Sequence, residues 1–84
     1  MNNFDKELVE IVARSLPPKA TPADVVGWLA RQGVTNNTSA RRLVMKEYVD
    51  SRFASGKCSK ADALFEAADH FGCSEYMARN YYYN

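Results

Sequence analysis

The chain carries few side chains suited to bond-making and many suited to recognition. Its one histidine, His70, stands between Asp69 and Phe71, and its two cysteines, Cys58 and Cys73, form no CxxC pair. A nucleophile needs a base within reach, and a zinc ion needs about four converging donors. Neither pattern is present, so no enzyme activity, cofactor, metal site or small-molecule substrate is expected. Reduced thiols are the default reading. Hydrogen-bonding groups gather instead near the end of the chain, where Ser74, Glu75, Tyr76, Arg79 and Asn80 fall within two helical turns, behind Lys57 and Lys60. Arginine pairs with guanine edges, asparagine with adenine, and glutamate accepts from cytosine, while lysine meets phosphate. That chemistry fits recognition of double-stranded DNA.

To present these groups on one side, residues 60–82 must form a helix, a turn and a second helix. Ser59 can cap the first, with Asp62 completing a capping box. Ala61, Leu64, Phe65, Ala68 and Phe71 then follow at helical spacing. Gly72 suits the positive φ of a helix stop, and Ser74 can cap the next helix. The predicted helices cover 60–71 and 75–82.

This stretch resembles the helix-turn-helix of bacterial and phage DNA-binding proteins. In that family a small residue stands four before the turn glycine, where Ala68 stands here. A small or apolar residue and then Ser or Thr follow the glycine, here Cys73 and Ser74. Ala67, Ala68, Phe71, Cys73, Ala78 and Tyr81 would fill the six inward places. The resemblance covers about a quarter of the chain and implies that the second helix enters the major groove. Such hairpins also occur as purely structural units.

A weaker match spans Thr21–Leu43. There Gly33-Val34-Thr35 is the turn, and Asn36, Asn37, Thr38 and Arg41 are the alternative DNA-contacting residues. In this register Gln32, Ser39 and Arg42 would point inward, and only Trp28, Leu29 and Val34 are apolar there. The two matches can reflect shared turn chemistry rather than an internal repeat.

The elements upstream read as three more helices, at 3–16, 22–32 and 37–54. Asn3 can cap the first, and Phe4, Leu8, Ile11, Val12 and Leu16 form its stripe, for the core or for a dimer partner. The residue before proline avoids the α region, so Leu16-Pro17-Pro18 ends it. Thr21-Pro22-Ala23-Asp24 is a capped start with proline in the first turn. Val25, Trp28 and Leu29 make the second helix's inward face, and Gly33 ends it. Leu43, Val44, Met45, Tyr48, Val49 and Phe53 give the third a broad apolar side, as a central helix requires. Gly56 stops it. Cys58 is expected to be exposed in the connecting loop and Cys73 buried in the turn. Tyr81 should pack inward, whereas Tyr82 and Tyr83 cannot all share its face. They mark a partner interface, a base-stacking surface or a frayed end.

Eighty-four residues with 46% apolar content make one all-α domain of about five helices with a modest core. No run approaches the roughly 18 apolar residues of a membrane span. The start, MNNFDKE, lacks a signal-peptide layout, so a cytoplasmic location is expected. Net charge is only +1 but is unevenly spread. Residues 41–60 hold six cations against two carboxylates, and residues 61–84 hold one against four. A basic centre fits a phosphate-facing strip, while the acidic end fits solvated surface or a protein partner. Together these features lead to the expectation of a helix-turn-helix transcriptional regulator, such as a phage or plasmid repressor. It would bind an inverted repeat as a homodimer. The alternative is a non-catalytic interaction module using the acidic, tyrosine-rich C-terminal helices.

Overall fold

Each helix begins where a short polar side chain takes up one of the first free amides. The computed structural model describes residues 2–84 and has five helices: α1 (Asn3–Ser15), α2 (Pro22–Arg31), α3 (Asn37–Ala54), α4 (Lys60–Phe71) and α5 (Glu75–Tyr83). No strand occurs among the described residues, and the fold is all-α. Thr21 closes a reciprocal box with Asp24: its hydroxyl accepts the Asp24 amide at 3.2 Å, and the Asp24 carboxylate accepts the Thr21 amide at 2.9 Å. Two caps differ from expectation. Asn2, not Asn3, caps α1, its Oδ1 accepting the Asp5 amide at 2.8 Å. Asn3 is already helical and its side-chain amide reaches the His70 carbonyl instead. At α4, Ser59 accepts the Asp62 amide at 3.2 Å, but among the described residues the Asp62 carboxylate makes no return bond. α1 stops at Ser15 because Pro17 holds Leu16 extended, at φ −120° and ψ 152°.

α3 is the central element, packed by α1, α4 and α5. The core's largest fully buried side chains are Met45, Val44 and Val49 of α3 and Leu64 of α4, each worth roughly 1.5–3 kcal/mol of transfer free energy. Phe4 of α1 stacks on Phe71 at 4.3 Å between ring centroids and meets Tyr81 edge-on at 5.8 Å.

The face that α4 turns inward is not the one its largest side chains mark. Ala63, Leu64, Ala67 and Ala68 are buried, whereas Phe65 is 65% exposed and Ala61 is exposed. α4 lies against both α3 and α5, and alanines allow that close approach where a phenyl ring would hold the helices apart. Phe53 is also mostly outside, its ring sheltering the Lys60 ammonium 5.3 Å away. Tyr82 is buried together with Tyr81, leaving Tyr83 outside. Tyr82 faces α3, where its hydroxyl donates to Asp50. The expected contrast between the cysteines is absent. Both are half-buried, because Cys58 folds back on the core with its thiol toward the Arg52 carbonyl. α2 differs from the rest. Val25, Trp28 and Leu29 do turn toward the protein, but none of its residues is buried and it lies extensively against no other helix.

Candidate nucleic-acid interface

The α4–α5 hairpin is built from its turn outward. Gly72 adopts φ 69°, and its amide donates to the carbonyls of Ala68 and Asp69. The Cys73 amide then returns to the Ala68 carbonyl at 3.0 Å, satisfying groups that a helix end leaves free. Ser74 caps α5 by accepting the Met77 amide at 3.1 Å. The six inward places hold the expected residues. Ala67, Ala68, Ala78 and Tyr81 are buried, and Phe71 and Cys73 are half-buried against the core. Burial raises the Cys73 thiol pKa above its ordinary value, only partly opposed by a local hydrogen bond and by Arg41.

With that side fixed, Ser74, Glu75, Tyr76, Met77 and Arg79 are exposed on α5, and Asn80 is half-buried. Tyr76 is 72% exposed. Arg79 is not idle: its guanidinium meets Glu75 one turn back at 3.2 Å, each side chain about half exposed. An exposed pair of this kind is worth little, so either partner can be exchanged for a ligand group. Asn80 also accepts, through its carbonyl, the side-chain amide of Asn84 at 2.8 Å.

The lysines divide. Lys57 is exposed ahead of α4. Lys60 is half-buried, its ammonium 5.3 Å from the ring centres of both Phe53 and Tyr82. The Tyr82 hydroxyl, with smaller help from Tyr83 and Asp50, raises the Lys60 pKa. The Tyr82 pKa is itself raised, by its bond to Asp50 first and by burial second. Lys60 is therefore tied into an Asp50–Tyr82–Lys60 cluster joining α3, α5 and α4.

Two cations not placed among the expected contacts stand where α5 ends. Arg42 and Lys46 are exposed on α3, and Asn84 shares a shallow depression with them. No described carboxylate lies within ion-pair distance of either. The sequence signal was the basic run from residue 41, but its orientation depends on how α5 crosses α3. Arg14 and Arg52 behave differently. Arg14 pairs with Glu47 at 3.8 Å and Arg52 with Glu66 at 3.3 Å. The Tyr48 hydroxyl and then Glu66 raise the Arg52 pKa.

The N-terminal turn shares the backbone chemistry of the C-terminal one. Gly33 has φ 76°, and the Val34 amide returns to the Leu29 carbonyl at 2.9 Å. Two of its four candidate side chains, Asn36 and Arg41, are engaged within the fold. Asn36 caps α3 by accepting the Ser39 amide at 2.9 Å, while the Ser39 hydroxyl accepts the Asn36 amide at 3.0 Å. Arg41 is half-buried, 3.3 Å from the Tyr81 hydroxyl and over the Phe4 ring at 5.1 Å. Asn37 and Thr38 are exposed on the first turn of α3. Gln32 and Arg42, inward in the motif register, are exposed, and Ser39 is half-buried. α2 does not press on α3 closely enough to order them.

Comparison with protein families, curated proteins and solved structures gives no match to the chain. Among the described residues no His, Cys, Asp or Glu cluster could hold a metal ion, and no helix is long and apolar enough to cross a membrane.

Proposed function

We propose that the chain is a small helix-turn-helix DNA-binding regulator that engages an inverted repeat in double-stranded DNA as a homodimer. The observation that carries this reading is the closed α4–α5 hairpin, with its six inward places apolar and its exposed α5 edge ending beside Arg42 and Lys46. α5 enters the major groove, offering Ser74, Tyr76, Arg79 and Asn80 to base edges. Arg79 leaves Glu75 to pair with a guanine edge, and Glu75 is then free to accept from a cytosine. Arg42, Lys46 and Lys57 meet phosphates on either side. Lys60 sits at the first residue of α4, where it can add to the field near the backbone without leaving Tyr82.

The test is fluorescence anisotropy on duplex DNA over a salt series. Three phosphate contacts per copy, from Arg42, Lys46 and Lys57, predict a log–log salt slope of about −2.7 per copy and about −5 for a dimer. Arg79→Ala should cost roughly 1–3 kcal/mol on a preferred site and relax one base position. Lys46→Ala should weaken all sequences alike and flatten the slope by about 1. Arg41→Ala should lower stability and leave the slope unchanged. Binding lost only on Arg41→Ala would move the reading helix to α3. The alternative, a protein-interaction module, draws on Phe65, exposed between Asp62, Glu66 and Asp69 on α4. Failure to bind any duplex at low salt would favour it.

A further inference from the structure

The least satisfied part of the fold is the groove between α1 and α2. Leu8, Val9, Val12 and Ala13 line one wall, Val25 and Leu29 the other, and the lining presents no polar surface. Val9 is 55% exposed and Val26, beside the groove on α2, is 66% exposed. α2 begins with a closed capping box and a first-turn proline, and ends before a left-handed glycine, yet none of its residues is fully buried. A helix so firmly started and stopped, with its apolar side uncovered, is half of a packing arrangement.

We infer that a second copy of the chain covers this groove, packing α1 and α2 against their equivalents about a two-fold axis. The size is right. The chain exposes 5558 Å², whereas about 5,000 Å² is usual for a monomer of its mass. The excess is on the order of the roughly 800 Å² per partner that a stable interface removes. The charge also fits a copy rather than a strongly charged partner. Up to Thr35 four cations are balanced by four carboxylates. On the exposed rim of α1, Lys6 and Glu10 lie one turn apart with opposite signs. A two-fold axis near the middle of α1 runs the copies antiparallel and sets Lys6 of one against Glu10 of the other. α2 repeats the pattern, with Asp24 in its first turn and Arg31 in its last. This is the self-complementarity an isologous interface requires.

The arrangement differs from the candidate surfaces read from sequence, the whole α1 stripe and, separately, Tyr82 and Tyr83. Phe4, Ile11 and Tyr82 are spent on the core, and only the Val9 side of α1 is free. The groove uses no residue of α4 or α5, so both hairpins stay open in the dimer. The choice of occupant deepens the homodimer proposed above, while the surface stands independently of DNA binding.

The experiment is sedimentation equilibrium on the full chain without DNA. The unaltered chain should be a dimer at tens of micromolar. Val9→Glu, at an exposed position, should keep its helical circular dichroism and weaken self-association about tenfold or more, because a carboxylate would be carried into an apolar contact. Lys6→Glu should also weaken it, and Lys6→Glu combined with Glu10→Lys should restore it. A monomeric unaltered chain, or a dimer indifferent to Val9→Glu, would overturn the inference. A Val9-dependent dimer that binds no duplex would leave the inference standing and remove the DNA reading. A monomer that binds duplex would do the reverse.

Discussion

Two neighbours on α4, Leu64 and Phe65, are expected to respond very unequally to truncation. Leu64 is fully buried, Phe65 65% exposed. Leu64→Ala in a closed core costs about 2–5 kcal/mol, part transfer and part cavity. A chain of 84 residues holds roughly 4–13 kcal/mol in all, so this one change removes a large share. Phe65 hides only about a third of its side chain. At about 25 cal/mol per Å² that is at most about 1.5 kcal/mol, and the extended-chain reference makes it an upper bound. Alanine's better helix propensity returns about 0.5 kcal/mol, leaving a net cost of about 1 kcal/mol or less. Thermal melts by circular dichroism would separate the two, since each kcal/mol moves the midpoint by about 4–8 °C at this size. Urea midpoints give an independent reading. A Phe65→Ala loss equal to or above that of Leu64→Ala would refute the orientation of α4, and with it the inward set that fixes the exposed edge of α5.

Gly72→Ala should cost on the order of 1 kcal/mol by urea unfolding, because φ is 69° and nothing crowds the new Cβ, so the penalty is conformational alone. Gly27→Ala, inside α2 with only the Arg31 guanidinium 3.4 Å away, should stabilise by about 0.5–1 kcal/mol in the same assay. The Asp50–Tyr82–Lys60 cluster sets an alkaline limit. The folded pKa values of Tyr82 and Lys60 are both raised, so their contribution is complete below the ordinary values near 10 and is lost as pH rises through the raised ones. Urea midpoints from pH 9 to about 11.5 should fall over that interval, and Tyr82→Phe should flatten the fall. An equal fall in Tyr82→Phe would show that the cluster is not responsible.

Much of the hairpin was legible because its constraints are local. Gly72 must take positive φ and Ser74 must cap, and the resemblance to the helix-turn-helix then implies that Ala67, Ala68, Phe71, Ala78 and Tyr81 share one side. Side-chain size misled where it competed with distance. Phe65 outweighs Ala63 in any apolar stripe, yet α4 is wedged between α3 and α5 and the close contact selects the alanine. Beyond Tyr81, expected inward and buried, the tyrosine run was ambiguous for a different reason. Consecutive residues on a helix point about 100° apart, so which two of Tyr81, Tyr82 and Tyr83 are buried depends on the line along which α3 crosses α5. Arg41 and Lys60 read from sequence as free cations. Only the tertiary fold brings Tyr81 and Phe4 to the first, and Tyr82 and Phe53 to the second.

The same tertiary placement explains how a chain of net charge +1 can present one cationic edge. Glu47, Glu66 and Glu7 face Arg14, Arg52 and His70. The Asp50 carboxylate accepts the Tyr82 hydroxyl and adds to the field holding Lys60. What remains beside Asn84 is Arg42 and Lys46. A phosphate approaching there meets two cations with no carboxylate at ion-pair distance among the described residues. Net charge therefore understates the attraction at this edge. The relevant quantity is the number of cations left over once the ion pairs of the fold are made.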